Sequence, residues 1–355
     1  VTVINMCCRA GMKTLQANSV DSVVTDAPYG LSKQPKIEEV LKHWLAGDDY
    51  TATGGGFMGK TWDSFVPGPL TWAEAYRILK PGGYCVVFAG SRTVDLMAMS
   101  LRIAGFEVVD MLHWLYGSGF PKSLDIGKAT GDPKWEGFGT ALKPAHEPII
   151  LCRKPLDGTY ANNVLKHGAG ALNIDGCRVG TEKRTNAAAG NKAGGASLNM
   201  SAQGMPENVE GREVVGRWPG NVLHDGCLPD PMGRYFYSAK ATKADREAGL
   251  ELFKLHTAGE VTGGRGEGSA GLNSPRSGAG RTRGAKNIHP TVKPTELMRW
   301  LCRLVTPPGG LIVDPFTGSG STGRGAALEG FEFLGFELDA QYSEIARARI
   351  EDAKK

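Results

Sequence analysis

Leu311-Ile312-Val313-Asp314-Pro315-Phe316-Thr317-Gly318-Ser319-Gly320-Ser321-Thr322 is the stretch that decides the fold class. It reads as a short strand ending in an acid, then a glycine turn, then the start of a helix. Glycines at such a turn let the backbone approach a ligand closely, with the helix N-terminus behind it. With Gly323 the stretch also satisfies G-x-G-x-x-G, and Glu337, at the end of the next expected strand, is placed to hold ribose hydroxyls. Taken alone, these residues fit either a nucleoside-type ligand or a tight packing turn.

The surroundings narrow that choice. In a chain of 355 residues too few follow Gly323 to complete a dinucleotide-binding sheet, unless the order of the elements is permuted. Asp314 suits a ligand that carries positive charge near the turn. S-adenosylmethionine, with its ammonium and sulfonium, meets that condition, and a pyrophosphate does not. No Gly-Lys-Ser/Thr follows, so a phosphate-binding P-loop is excluded.

Working outward, a helix is expected over 295–305, a strand over 311–314, a helix over 322–329, a strand over 331–338 and a last helix over 340–353. Further upstream, strands are expected at 1–5, 20–26, 84–89, 106–116 and 148–152. Helical patterns lie between them at 12–16, 71–79 and 94–103, the second stopped by Lys80-Pro81-Gly82-Gly83. Strands spaced by helices indicate an α/β, doubly wound, mostly parallel sheet. Between the two flanks, periodicity weakens and Gly, Asn and Ser rise. The division that follows is 1–155, an irregular insert at 156–286, and 287–355. Within the insert, 259–284 combines glycines with Arg265, Arg276, Arg281 and Arg283, and Lys286 follows. It reads equally as a flexible linker or as a basic loop that orders on nucleic acid.

Composition sets the outer bounds. Hydrophobic residues make up 41% and charged residues 22%, ordinary for a globular protein. Glycine, at 50 residues, is about twice its average usage. The seven cysteines form no Cys-x-x-Cys pair, which argues against a disulfide framework or a zinc ribbon. The seven histidines lack metal-ligand spacing, so no metal is expected. The net charge of +4 permits a polyanionic partner without requiring one. No signal-peptide pattern opens the sequence and no apolar run is long enough to cross a bilayer, so a cytoplasmic protein is expected.

A second motif, Asp26-Ala27-Pro28-Tyr29-Gly30, sits where the strand at 20–26 ends, and ligands of doubly wound sheets bind at such carboxyl ends. In isolation it is a proline turn with a surface tyrosine. Beside a methyl donor it has a chemical use. The exocyclic amine of adenine or cytosine is a poor nucleophile, because its lone pair is delocalised into the ring. A carboxylate and a main-chain carbonyl accepting both N–H bonds would localise that lone pair for in-line attack. Asp26 supplies the carboxylate and Ala27 the carbonyl. Pro28 stiffens the turn, and Tyr29 offers a stacking face to a flipped-out base.

These motifs resemble those of the DNA amino-methyltransferases that act on adenine N6 or cytosine N4. That family carries Asp/Asn/Ser-Pro-Pro-Tyr at the catalytic strand and Asp-Pro-Phe-x-Gly-Ser-Gly at the cofactor strand. His289-Pro290-Thr291-Val292-Lys293-Pro294 resembles a third signature, which precedes the latter. The order of motifs is that of the family's β group. Gly119-Phe120-Pro121-Lys122-Ser123 and Lys143-Pro144-Ala145-His146-Glu147-Pro148 resemble segments common in phage and prophage members. The resemblance implies a circularly permuted class I methyltransferase fold, with 1–155 as the catalytic half, 156–286 as a target-recognition insert and 287–355 as the cofactor half. It implies S-adenosylmethionine bound by Asp314, Phe316, Gly318, Ser319 and Gly320, with Glu337 on the ribose and His289, Thr291 and Lys293 near the amino-acid end. Lys293 would pair with the cofactor carboxylate. It further implies DNA, expected double-stranded, as partner, with a homodimer compatible. An Asp-first tetrad favours adenine; cytosine N4, or a silent nucleic-acid binder, remains the alternative. Two positions depart from the family pattern. Ala27 replaces the usual Pro, which loosens the turn, and Cys7 replaces an Asp expected to reach the cofactor adenine.

Overall fold

The computed structural model describes residues 1–32, 34–52, 61–119, 121, 123–185, 213–257, 260 and 284–355. The first flank runs β1 (Thr2–Asn5), α1 (Cys8–Lys13), β2 (Val20–Thr25), α2 (Ile37–Leu45), α3 (Pro69–Ile78), β3 (Leu79–Phe88), α4 (Val94–Ile103), β4 (Glu107–Leu115), α5 (Ile126–Thr130) and β5 (His146–Arg153). Within 156–286 come α6 (Tyr160–His167), β6 (Val179–Thr185), β7 (Glu213–Arg217), β8 (Val222–His224), β9 (Tyr237–Ser238) and α7 (Lys243–Glu247). The last flank supplies α8 (Thr295–Val305), β10 (Leu311–Asp314), α9 (Ser321–Leu328), β11 (Glu332–Glu337) and α10 (Ala340–Asp352).

Among the described residues nine strands form one sheet in the order β1-β11-β10-β2-β3-β5-β4-β8-β9. All neighbours are parallel except β5, which runs against both β3 and β4. Alternation along the strands builds two cores. Val24, Val86, Ile149 and Ile312 face the layer of α8, where Trp300, Leu301 and Leu304 are buried. Their chain neighbours Val23, Val87, Ile150 and Val313 face the opposite layer with Trp72, Ile78, Met97 and Leu101. Central strands covered on both faces read as continuous apolar runs, which is why they stand out in the sequence.

β10 and β2 are neighbours although Thr25 and Leu311 are 286 positions apart in the sequence, and the chain leaves them in opposite directions: β10 leads to β11 and β2 to β3. Open α/β sheets bind ligands at the carboxyl ends of the strands where the order reverses in this way. Asp26 and Asp314 stand there side by side. The permuted α/β architecture is the one expected.

Several elements differ from expectation. β3 starts at Leu79, so Lys80–Gly83 continues as strand where the sequence suggests a turn; the register with β2 shifts between Val20 and Ser22 to accommodate it. α2 matches none of the expected elements, and it buries Val40 and Trp44 in the core. Nor is 156–286 irregular throughout: β8 and β9 extend the main sheet beyond β4, and Cys177, Leu223 and Ala239 join its core. Short strands of three and two residues carry too little periodicity to be read from sequence.

Candidate active site

Asp26 follows the last residue of β2, and three contacts hold the turn after it. The buried Asp63 carboxylate accepts from the amides of Tyr29 at 2.7 Å and Gly30 at 3.1 Å. Thr93 Oγ1 donates to the Tyr29 carbonyl at 2.6 Å. Gly30 has φ +65°, and a Cβ there would lie 2.8 Å from the Val66 nitrogen, so only glycine fits. Among the described residues nothing donates to the Ala27 carbonyl, leaving it available as an acceptor.

The Asp26 carboxylate is part of a charged cluster. Lys293 Nζ lies 2.6 Å from Asp26 Oδ2 and 3.2 Å from Glu147 Oε2. The Tyr29 hydroxyl lies 3.0 Å from Asp26 Oδ1 and 2.7 Å from Glu147 Oε2. Lys293 is 5% exposed, and its ammonium also sits over the rings of Tyr29 and Phe88, at 5.2 and 5.0 Å. Burial pushes Asp26 above the usual carboxylate range and Lys293 holds it back; the two carboxylates keep Lys293 charged against the cost of its own burial. Burial beside these carboxylates raises the Tyr29 phenol well above its ordinary value, so it is neutral. Lys293, expected near the amino-acid end of the cofactor, is here the counter-ion of Asp26 and Glu147.

Next to this cluster lies the glycine turn. Thr25 Oγ1 donates to Asp314 Oδ1 at 2.6 Å and ties the two strand ends together; the Phe316 amide donates to the same oxygen at 3.0 Å. Burial raises Asp314 to about 6. Gly318 (φ +52°) and Gly320 (φ +79°) are left-handed, and a Cβ on Gly318 would meet His289 Nε2 at 2.8 Å. The His289 ring lies near-parallel to Trp62 at 6.2 Å and edge-on to Tyr342 at 4.7 Å. Burial and the Lys293 charge lower it to about 3, so it is neutral. The Thr291 amide lies 3.4 Å from its Nδ1. Glu337 Oε2 accepts from the Gly318 amide at 2.7 Å and Oε1 from the Asp339 amide at 2.8 Å. Burial raises Glu337 to about 7. Cys7 is exposed just beyond β1, next to Met6, whose amide donates to the Glu337 carbonyl at 2.9 Å.

The predicted residues Asp26, Tyr29, Lys293, Asp314, Gly318, His289 and Glu337 therefore converge on one edge of the sheet. Ser319 is buried and Thr291 is exposed. Phe316 packs edge-on against Trp72 at 6.1 Å. Lys286, expected on DNA, donates its ammonium to the Glu251 carbonyl at 2.6 Å. Arg265, Arg276, Arg281 and Arg283 lie outside the described residues. Among the described residues no cluster of three or more His, Cys, Asp or Glu is arranged to hold a metal, and no helix is long and apolar enough to cross a membrane.

Two participants carried no role in the sequence reading. Glu147 lies at the start of β5, and only because β5 is antiparallel does its start fall at the carboxyl ends of β3 and β4. In an all-parallel sheet it would sit at the opposite edge. Arg349 is fully buried in α10; its Nη1 donates to the Ser319 carbonyl at 2.6 Å and Nη2 to the Asp245 carbonyl of α7 at 3.1 Å. An arginine on the inner face of a terminal helix gives no signal of its own in a sequence.

A DNA methylase family model, that of the N6/N4 methyltransferases, matches residues 20–348. The chain belongs to this family. The type II methyltransferase M.HindIII of Haemophilus influenzae is 27% identical over 46% of this chain and 61% of its own length. The type II methyltransferase M2.DpnII of Streptococcus pneumoniae is 43% identical over a shorter stretch, 18% of this chain and 24% of its own. The chain thus spans less than two thirds of either relative. Among solved structures, the M1.HpyAVI–SAM complex aligns over 98% of both chains at TM-score 0.45 and 16% identity. The PvuII DNA methyltransferase (cytosine-N4-specific) aligns over 98% of this chain and 85% of its own, at TM-score 0.48 and 14% identity.

Proposed function

We propose that the protein transfers a methyl group from S-adenosylmethionine to the exocyclic amine of a DNA base, adenine N6 in preference to cytosine N4. The observation that carries this is the adjacency of two acidic strand ends: Asp26 after β2 and Asp314 at the end of β10, joined through Thr25. The glycine turn fits the cofactor. Left-handed Gly318 and Gly320 form the tight turn, Gly320 closing against Ala346 of α10, Asp314 is a buried acid suited to a cationic ligand, and Glu337 presents a carboxylate at the end of β11 for ribose hydroxyls. When bound, the cofactor supplies an electrophilic methyl on a sulfonium.

The chain does the rest by positioning. Asp26 and the Ala27 carbonyl accept the two N–H bonds of the amine and draw its lone pair out of the ring. Tyr29 flanks the base. Asp63 and Thr93 keep the turn fixed. Preference for adenine rests on the Asp-first tetrad. In this reading 156–286 recognises duplex DNA, with its arginines on phosphates, between a catalytic half (1–155) and a cofactor half (287–355).

Incubation of unmethylated DNA with the protein and methyl-labelled S-adenosylmethionine, followed by nucleoside mass spectrometry, tests the proposal. N6-methyladenine is expected. N4-methylcytosine would reassign the base, and unlabelled DNA from protein that binds both ligands would leave a silent binder.

A further inference from the structure

Asp26 has both oxygens engaged: Oδ1 lies 3.0 Å from the Tyr29 hydroxyl and Oδ2 lies 2.6 Å from the Lys293 ammonium. A carboxylate oxygen can accept more than one hydrogen bond, so the target amine is not sterically barred. The conflict is one of charge. As the amine attacks, its nitrogen becomes cationic, and Asp26 is the group that must stabilise that charge. A lysine ammonium on the same carboxylate draws off much of that stabilisation and repels the developing cation.

The structure contains a way out. Glu147 Oε2 is already 3.2 Å from Lys293 Nζ, and it also lies 2.7 Å from the Tyr29 hydroxyl. The Glu147 side chain is 21% exposed and Lys293 6%, so the ammonium can exchange carboxylates with a small movement while staying out of water. We propose that Glu147 is a second seat for Lys293, taking over its ammonium when the amine of the target base claims Asp26. This deepens the methyltransferase reading and rests on it. Glu147 never touches the base in this scheme; it is a positioning residue that acts through Lys293. Before the base arrives, Lys293 keeps Asp26 ionised in its buried setting. Afterwards, Glu147 keeps Lys293 ionised and away from the reacting nitrogen.

The deciding feature of Glu147 is then its charge rather than its shape. Glu147→Gln preserves the outline and a hydrogen-bond acceptor but leaves Lys293 with one carboxylate. Single-turnover methylation of unmethylated plasmid DNA should fall about tenfold or more, with S-adenosylmethionine affinity within about twofold of wild type. Glu147→Asp, shorter but charged, should retain more activity than Glu147→Gln. A Glu147→Gln rate within about twofold of wild type, or a Gln variant faster than the Asp variant, overturns the hand-over. If the Gln variant does not bind the cofactor because it fails to fold, the Asp variant decides: a rate well below wild type but measurable supports the scheme, and an unchanged cofactor affinity with no transfer overturns it. Wild-type protein that binds the cofactor but labels no DNA overturns the methyltransferase reading itself; wild-type transfer that survives Glu147→Gln overturns the hand-over alone.

Discussion

At the residue scale, the site is organised around ionisation states that burial makes costly. Asp26 must be an anion to accept from an amine, yet its surroundings favour the protonated form, and Lys293 opposes them. Replacing Lys293 with Met removes that opposition. The Asp26 pKa then rises, so the acidic limb of the rate–pH profile should move to higher pH; Glu147, Asp314 and Tyr29 also face this carboxylate and none supplies a replacement cation. An acidic limb that stays in place would show that Lys293 does not set the charge of Asp26. Glu337 makes a second case. Its carboxyl sits at about 7, raised by burial and by Asp339 and Asp314, and the anion is the better acceptor for ribose hydroxyls. Cofactor affinity should therefore rise between pH 6 and 8, and Glu337→Gln should flatten the rise; titration calorimetry at the two pH values reads both.

At the element scale, the strand–turn–helix units place the chemistry, and their legibility follows from burial. β10 and α8 have the expected bounds because β10 is covered on both faces and α8 carries a strong apolar face. The turn after β10 depends on left-handed glycine. Gly318→Ala would place a left-handed φ on a residue with a side chain, costing about 1–2 kcal/mol, and would press its Cβ onto His289 Nε2 at 2.8 Å. Weaker cofactor binding is expected, with duplex affinity little changed; equal weakening of both would contradict the placement of this turn. Glu147 shows where sequence reading stops. Its segment is recognisable as a strand, but direction is a property of pairing, and a reversed β5 moves its first residues from one edge of the sheet to the other. The same holds for β8 and β9, whose pairing with β4 is non-local. The arginines at 265, 276, 281 and 283 lie in a glycine-rich run whose composition does not determine a conformation.

At the scale of the whole molecule, Arg349 joins distant parts. From the last helix it holds the Ser319 carbonyl of the glycine turn and the Asp245 carbonyl of α7. Asp245 in turn accepts from the Thr295 amide at 2.9 Å at the start of α8, just after Lys293. The middle segment of the chain is therefore fastened to the turn and to the lysine-bearing segment at once. Arg349→Ala would remove a large buried side chain and strand two carbonyls, a loss of about 3 kcal/mol, read as a lower midpoint in urea. An unchanged midpoint would mean that α7 is held by other contacts.

The most direct test of the account is the methyl-transfer rate of Asp26→Ala under single turnover, with cofactor and DNA binding confirmed in the same sample. The account predicts intact binding and a rate reduced by about 10²–10³-fold or more. A variant that binds both ligands and transfers the methyl at the wild-type rate would contradict it.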